Sequence, residues 1–266
     1  MPSTHPSISH PSHPPPAARC LAWQPRALEK KLVACPPAQL TKYQEQSQLL
    51  DPLLDGLVKP LARLLADLAP AVDPAALPPG TLHAVARLLW QLSIVRGYKA
   101  VLRFFPNEVA YFETVVQLLA QLEAASCGTT AQCSSLDGQG LWEAQYVCLL
   151  WLALLVLIPF DLALVDSSLS SSAATGGSAG TSGSGSGAAS LTAAPGYPPI
   201  VGTILSLGQA HLASPGSSRE MAAVVLGRLI TRPDMGAALL EVLDWGCAAL
   251  QAPADSPQAA FLVPGG

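Results

Sequence analysis

This 266-residue sequence has few charged residues: Asp, Glu, Lys and Arg together make up only 12% of it. An ordinary soluble domain carries about 25%. The formal net charge of −4 is small, so the composition favours neither nucleic-acid binding nor strong steering of a cationic partner. The single asparagine, Asn107, is followed by Glu and Val, which leaves the chain without an N-glycosylation sequon.

Metal and disulfide chemistry has little support in the sequence. The cysteines form no CxxC pair, and only Cys127 and Cys133 lie near enough to each other to pair or share a metal. His5, His10 and His13 lie in a Pro- and Ser-rich stretch, where a disordered tail is favoured over loose metal binding. We therefore expect no metal site, and we expect a cytoplasmic protein.

Catalytic motifs are absent as well, since the sequence contains no P-loop, zinc-protease or nucleophile-elbow pattern. Gly183, Gly185 and Ala188 imitate a dinucleotide-binding fingerprint, but no strand pattern precedes them and no helix follows at once. Asp161 fits a helix cap or a turn better than a buried functional carboxylate. We expect neither an enzyme nor a bound cofactor.

Composition divides the chain into alternating segments. A Pro-, Ser- and His-rich disordered tail is predicted over 1–25, and a Gly- and Ser-rich flexible linker over 166–197. Helical-repeat segments are predicted over 26–165 and 198–250. The last residues, 251–266, are predicted to be a frayed tail.

The longest apolar run, Leu141–Asp161, has no charged residue between Glu143 and Asp161. A membrane span needs roughly 20 apolar residues and about 17 at the least, and this run is closed by Pro159 and an acidic residue rather than by basic ones. A helix that is apolar on all sides also occurs as the buried centre of a helical protein. We favour that interpretation, and a membrane-associated protein anchored by 144–160 is the alternative. Neighbouring helices would then cover the aromatic side chains of the run: Trp142, Tyr146 and Trp151.

Apolar residues recur at three- and four-residue spacing through most of the remaining chain, which is the helical period. Asp51 followed by Pro52 predicts a helix start with Asp51 as the N-cap, and Pro60 should kink or interrupt that helix. Its apolar face is predicted to contain Leu53, Leu54, Leu57, Leu61, Leu64, Leu65 and Leu68. Further helices are predicted over 81–95, 98–105, 108–125, 198–213, 217–231 and 235–250.

No strand pattern occurs in the sequence. Paired helices joined by short Pro-, Gly- or Asp-containing turns are typical of HEAT or armadillo repeats. The sequence therefore predicts an all-α, HEAT/armadillo-like helical-repeat solenoid fragment. Strict internal repetition is not visible, which leaves an irregular helical bundle open.

Two groups of basic residues are candidate partner-binding sites. Arg96, Lys99 and Arg103 are spaced to lie along one helix side, and Arg228 and Arg232 lie four residues apart. Such strips are often only solvated surface, and the alternative is a docking strip for an acidic protein.

Four segments resemble the N-terminal region of the tubulin-folding cofactor D family, and they occur in that family's order. They are KYQEQSQLLDPLL (42–54), VRGYKAVLRFFPNEV (95–109), LLWLALLVLIPFDL (149–162) and AAVVLGRLITRPD (222–234). Asp-Trp-Gly, beginning at Asp244, also fits the pattern that follows the last of them.

The resemblance implies a non-enzymatic chaperone scaffold built from helical repeats. Its expected partners are β-tubulin, tubulin-folding cofactors E and C and a small Arf-like GTPase, and its expected location is the cytoplasm and the microtubule cytoskeleton. The family's assembly makes and takes apart the αβ-tubulin heterodimer and stimulates GTP hydrolysis as a complex. Family members are several times longer than this chain, which is therefore expected to be a partial gene product or a truncated paralogue. A generic helical-repeat adaptor is the alternative.

Overall fold

The computed structural model describes residues 37–69, 81–127, 141–167 and 196–251. Within these ranges the secondary structure is helical, with no strand. Two 3₁₀ helices, Pro37–Tyr43 and Ser47–Leu50, come first. The α-helices that follow are α1 (Asp51–Leu68), α2 (Thr81–Arg96), α3 (Tyr98–Leu102), α4 (Ala110–Cys127), α5 (Leu141–Leu155), α6 (Leu162–Val165), α7 (Pro199–Ala213), α8 (Ser218–Ile230) and α9 (Gly236–Gln251).

The helices are arranged in two layers. In one layer α2 packs against α5, and α5 packs against α8. In the other, α4 packs against α7, while α4 also contacts α5 and α7 also contacts α8. Helix α9 lies at the far edge against α7 and α8, and α1 covers α2 at the near edge. This is the packing of successive helix pairs in a solenoid, so the all-α helical-repeat prediction is confirmed.

Helix α5 is the centre of the molecule. Its side chains are buried on all sides over Glu143–Ala153, which explains why its sequence lacks a polar face. Trp151 is fully buried, and its indole Nε1 donates a hydrogen bond to the carbonyl of Pro106 at 2.8 Å. Trp142 packs edge-to-face against Trp90, with ring centroids 4.9 Å apart. Among the described residues, no helix has the length and apolar character that crossing a membrane would require.

Gln145, a buried polar residue of α5, joins the two layers. Its amide donates to the Glu123 carboxylate of α4 at 2.8 Å. The same carboxylate oxygen lies 3.5 Å from Nε2 of His211, a buried residue of α7. Burial lowers the pKa of His211, and the nearby Glu123 carboxylate opposes that shift. A buried amide with charged and imidazole neighbours therefore fixes the register of α4, α5 and α7.

The α7–α8 contact depends on a glycine. A Cβ on Gly208 would lie 2.7 Å from side-chain atoms of Leu226 in α8. The missing side chain at this position therefore allows the two helices of this pair to approach closely.

Helix α1 differs from its sequence prediction in three respects. Asp51 is its first residue rather than its N-cap, and its carboxylate binds Arg96 instead of a backbone amide. The helix continues through Pro60 without interruption. Its buried face is displaced around the helix from the predicted one, because Leu53 and Leu57 are 54% and 39% exposed, while Val58 and Ala62 are buried in their place.

The predicted linker differs at both of its ends. Asp166 is buried, and its carboxylate accepts a hydrogen bond from the backbone amide of Ile200 at 2.9 Å, which caps the start of α7. Tyr197 packs partly against the core. Of the predicted tail over 251–266, only Gln251 is described, as the last residue of α9. The predicted tail over 1–25, the linker interior over 168–195, and the side chains of Cys127 and Cys133 lie outside the described residues.

Candidate functional site

Gly97 interrupts the basic strip predicted from sequence. Its backbone has φ 95° and ψ 135°, a conformation that is open mainly to glycine. The chain therefore turns between α2, which ends at Arg96, and α3, which contains Lys99. Arg96, Lys99 and Arg103 do not lie on one continuous helix, so the prediction that they share one side of a helix was wrong.

The structure nevertheless brings these three cations together around the turn. They line one shallow groove of about 570 Å³, together with Gly97, Tyr98 and Ala100. The turn between two helices, rather than a helical face, is what collects the positive charge.

Arg96 is held within the protein. Its guanidinium makes a two-point contact with the Asp51 carboxylate, through Nε to Oδ1 and through Nη2 to Oδ2 at 2.8 Å. This hydrogen bonding lowers the pKa of Asp51, and the charge of Arg103 adds to the effect. Arg96 therefore joins the start of α1 to the end of α2, and its charge is already balanced.

Lys99 and Arg103 are the exposed cations of the groove. In the part of the chain that the structure describes, neither makes an ion pair with a carboxylate. Lys99 Nζ lies 5.9 Å from the ring centroid of Tyr98. The groove thus presents two cations and an aromatic ring, an arrangement that suits carboxylates on a partner surface.

Arg232 has a different role from the one its spacing predicted. Its Nη1 donates to the carbonyls of Val156 and Ile158 at 2.9 and 2.7 Å, and its Nη2 donates to that of Phe160 at 2.7 Å. Nε and Nη2 also donate to the Asp234 carboxylate at 2.9 and 2.8 Å. A guanidinium has five N–H donors, and these five hydrogen bonds use all of them.

Arg228 completes the same arrangement, because its Nη1 donates to the carbonyl of Ala153. The last carbonyls of a helix have no partner within that helix. Arg228, in α8, thus supplies a donor within the last turn of α5, where the helix dipole also favours positive charge. Arg232 follows α8 and supplies donors to the segment that continues beyond α5. Arg228 and Arg232 together therefore cap the end of α5 and the segment 156–160 that follows it, and they do not form the solvent-facing strip that the sequence predicted.

The cap could not be recognised from local sequence signals. Arg232 is separated from its carbonyl partners by 72 to 76 residues, and no spacing rule connects positions so distant. One feature of the sequence did indicate that such donors are needed. Pro159 prevents the helix from continuing through the apolar run, and the carbonyls near its end are left without helical partners. Asp161 was correctly predicted as a cap, since its carboxylate accepts from the Ala163 amide at 2.9 Å at the start of α6.

Comparison with known proteins identifies a family and curated relatives of the chain. The family model described as "Tubulin-specific chaperone D-like, ARM repeat" matches residues 40–250. Tubulin-folding cofactor D of Schizosaccharomyces pombe is 26% identical over 155 residues, which is 58% of this chain and 10% of that relative. No solved structure matches the chain.

The family match covers both edges of the helical array, from the 3₁₀ segments before α1 to the last turn of α9. It includes the basic groove and the arginine cap. The chain therefore belongs to the tubulin-specific chaperone D-like family of ARM-repeat proteins.

Proposed function

We propose that this chain is a helical-repeat scaffold of a tubulin-folding chaperone, and that it binds β-tubulin through the basic groove. The proposal gives Lys99 and Arg103 the direct contact with carboxylates of the partner. Arg96 holds the turn in place through Asp51. The protein acts by binding and not by catalysis.

The observation that supports this proposal best is the contrast among the five candidate basic residues. Arg228 donates to a carbonyl of α5, Arg232 donates to carbonyls of the segment after α5, and Arg96 is paired with Asp51. Lys99 and Arg103 are exposed, and in the described residues they have no ion-pair partner. Unpaired cations at the rim of an interface raise the association rate with an acidic partner, and tubulin is acidic.

At the level of the assembly, the proposal follows the family resemblance. The chain would take part with tubulin-folding cofactors E and C and a small Arf-like GTPase in making and separating the αβ-tubulin heterodimer. GTP hydrolysis would be stimulated by the complex, with no catalytic residue from this chain. The place of action would be the cytoplasm and the microtubule cytoskeleton.

Capture of β-tubulin by the immobilised chain tests the proposal. The test variant combines Lys99→Glu with Arg103→Glu, which leaves the Arg96–Asp51 pair intact. We expect this double reversal to reduce capture at least about tenfold, since like charges placed against each other at an interface cost several kcal/mol.

The matched control combines Lys42→Glu with Arg63→Glu. Both of these residues are exposed, neither lines the groove, and the change in net charge is the same. The control should capture β-tubulin as the unaltered chain does. Equal loss in both variants would point to net charge rather than to the groove, and absence of capture by the unaltered chain would contradict the tubulin assignment.

A further inference from the structure

Helices α2, α5 and α8 run in the same direction, so their carboxyl ends lie along one edge of the molecule. Near the starts of α2 and α5, Nδ1 of His83 lies 3.3 Å from the Glu143 carboxylate. Near the ends of α5 and α8, Arg228 donates to the carbonyl of Ala153. This edge therefore contains the basic groove, which follows α2, and beside it the segments that follow α5 and α8.

A second groove, of about 570 Å³, lies on the same edge between the segments that follow α5 and α8. Leu157 and Phe160 line it, and each of them is 53% exposed. We call these two side chains the apolar pair. The charged groups beside them are engaged within the protein, because Asp161 caps α6 and Arg232 binds Asp234 together with three carbonyls. The groove therefore offers a partner mainly apolar surface.

The backbone that carries the apolar pair is held in place. Arg232 donates to the carbonyls of Val156, Ile158 and Phe160, which lie on both sides of Leu157. A segment ordered before binding loses less conformational entropy when a partner arrives. Large apolar side chains that remain exposed on such a segment are typical of a binding surface.

The apolar pair lies next to the basic groove. Helix α2 packs directly against α5, and packed helices are about 8–10 Å apart. A stable protein interface buries about 800 Å² on each partner, which is much wider than a groove formed around one turn. A partner that contacts Lys99 and Arg103 with an interface of this size would extend over the apolar pair in the direction of α5.

We propose that Leu157 and Phe160 form the apolar contact for the same β-tubulin surface that the basic groove attracts, an inference that rests on the proposed function. The partner surface would carry a large apolar side chain about 10 Å from the carboxylates that face Lys99 and Arg103. The two sites would then have different kinetic effects. Exposed cations at a rim raise the association rate, whereas buried apolar contacts slow dissociation.

Measurement of both rate constants for αβ-tubulin and the whole immobilised chain tests this inference. The test variant combines Leu157→Ala with Phe160→Ala. We expect its dissociation rate constant to be at least about tenfold larger, with the association rate constant and its salt dependence unchanged. Lys99→Glu with Arg103→Glu should do the opposite and mainly lower the association rate constant.

Two further variants make the result specific. Leu250→Ala removes a leucine that is 67% exposed in the last turn of α9, about 20 Å along that helix from the carboxyl-end edge. It should leave both rate constants unchanged. Phe160→Leu keeps a large apolar side chain and should increase the dissociation rate constant by less than about threefold. Because Arg232 holds the backbone carbonyl of Phe160 and not its ring, all these variants should keep the melting temperature of the unaltered chain.

The outcomes separate this inference from the proposed function. An unchanged dissociation rate constant in the Leu157→Ala, Phe160→Ala variant would overturn the inference alone, provided that Lys99→Glu with Arg103→Glu still slows association. Equally fast dissociation in Leu250→Ala would also overturn it, because the apolar contact would then have no defined place. Absence of tubulin binding by the unaltered chain would overturn the proposed function and this inference with it.

Discussion

At the scale of single residues, the arginines of this protein have clearly different structural roles. Arg232 satisfies the carbonyls of residues 156, 158 and 160 in the segment that follows α5, and Arg96 links two helices through Asp51. Sequence reasoning found all five basic candidates but could not separate them. Their partners are distant in the chain, and the identity of a partner decides whether a guanidinium is a cap or a free cation.

Arg232→Lys should lower the free energy of unfolding by on the order of 2–4 kcal/mol, because an ammonium lacks the planar fork that reaches several carbonyls at once. The measurement is the urea midpoint followed by far-UV circular dichroism. Arg63→Lys, on the exposed side of α1, is the matched control and should change stability by less than about 0.5 kcal/mol. Equal midpoints for the two variants would refute the capping role.

Glu143 is a second residue whose burial has a measurable consequence. Its carboxylate lies 3.3 Å from Nδ1 of His83 and is largely buried. Burial raises its pKa above the ordinary value of 4.5, although the charges of His83 and Arg87 oppose the shift. Because the folded-state pKa is the higher one, ionisation of Glu143 removes stability as the pH rises from about 4.5 through the folded pKa.

Glu143→Gln should therefore raise the melting temperature at pH 7, and this gain should shrink at pH 4, where the carboxyl is mostly protonated in both states. Thermal melts of the two proteins at both pH values measure the difference. A lower melting temperature for the variant at pH 7 would mean that the contact with His83 outweighs the cost of burial.

At the scale of elements, hydrophobic periodicity predicted the positions of most helices, and the ends were less predictable. The run that begins at Leu141 was apolar as far as Phe160, yet α5 ends at Leu155. Pro159 and the donors of Arg228 and Arg232 allow the backbone to leave the helix there. In α1, Leu53 and Leu57 have the correct helical spacing but are exposed, while Val58 and Ala62 are buried, because periodicity does not show which side of the helix its neighbours cover.

The turn at Gly97 provides a test at this scale. A Cβ would meet no atom within 4 Å at either Gly97 or Gly56, so any difference between them comes from the backbone alone. Gly97→Ala should destabilise the protein by about 1–3 kcal/mol because of its positive φ. Gly56→Ala, inside α1, should stabilise it by up to about 1 kcal/mol. Urea unfolding measures both, and a neutral Gly97→Ala would contradict the assigned turn.

The buried α5 helix provides the second test. Trp151→Asp should cost about 3–5 kcal/mol, because it leaves a cavity and an unpaired buried charge beside Tyr111 and Phe105. Leu164→Asp makes the same kind of change at an exposed site and should stay within about 0.5 kcal/mol. Soluble, cooperatively unfolding Trp151→Asp protein with a normal melting temperature would contradict the central position of α5.

At the scale of the whole molecule, the all-α helical-repeat class was predictable because strand patterns and catalytic motifs are missing and paired helical patterns recur. The order of helices within the two layers was not predictable. It depends on contacts such as Gln145 with Glu123 and Gly208 with Leu226, which join helices that are distant in the chain. The basic groove is likewise a product of topology, since it collects Lys99 and Arg103 around a turn beside Asp51.

The central proposal is that this array presents the basic groove to the acidic surface of tubulin, and the association rate tests it most directly. Stopped-flow mixing of the chain with αβ-tubulin is repeated over a range of salt concentrations, for the unaltered chain and for the Lys99→Glu, Arg103→Glu variant. Screening at about 0.15 M salt acts beyond roughly 8 Å. The account predicts a rate constant that falls with salt for the unaltered chain, a slower and nearly salt-independent rate for the variant, and convergence of the two at high salt. Equal rate constants and equal salt dependence in the two proteins would contradict it.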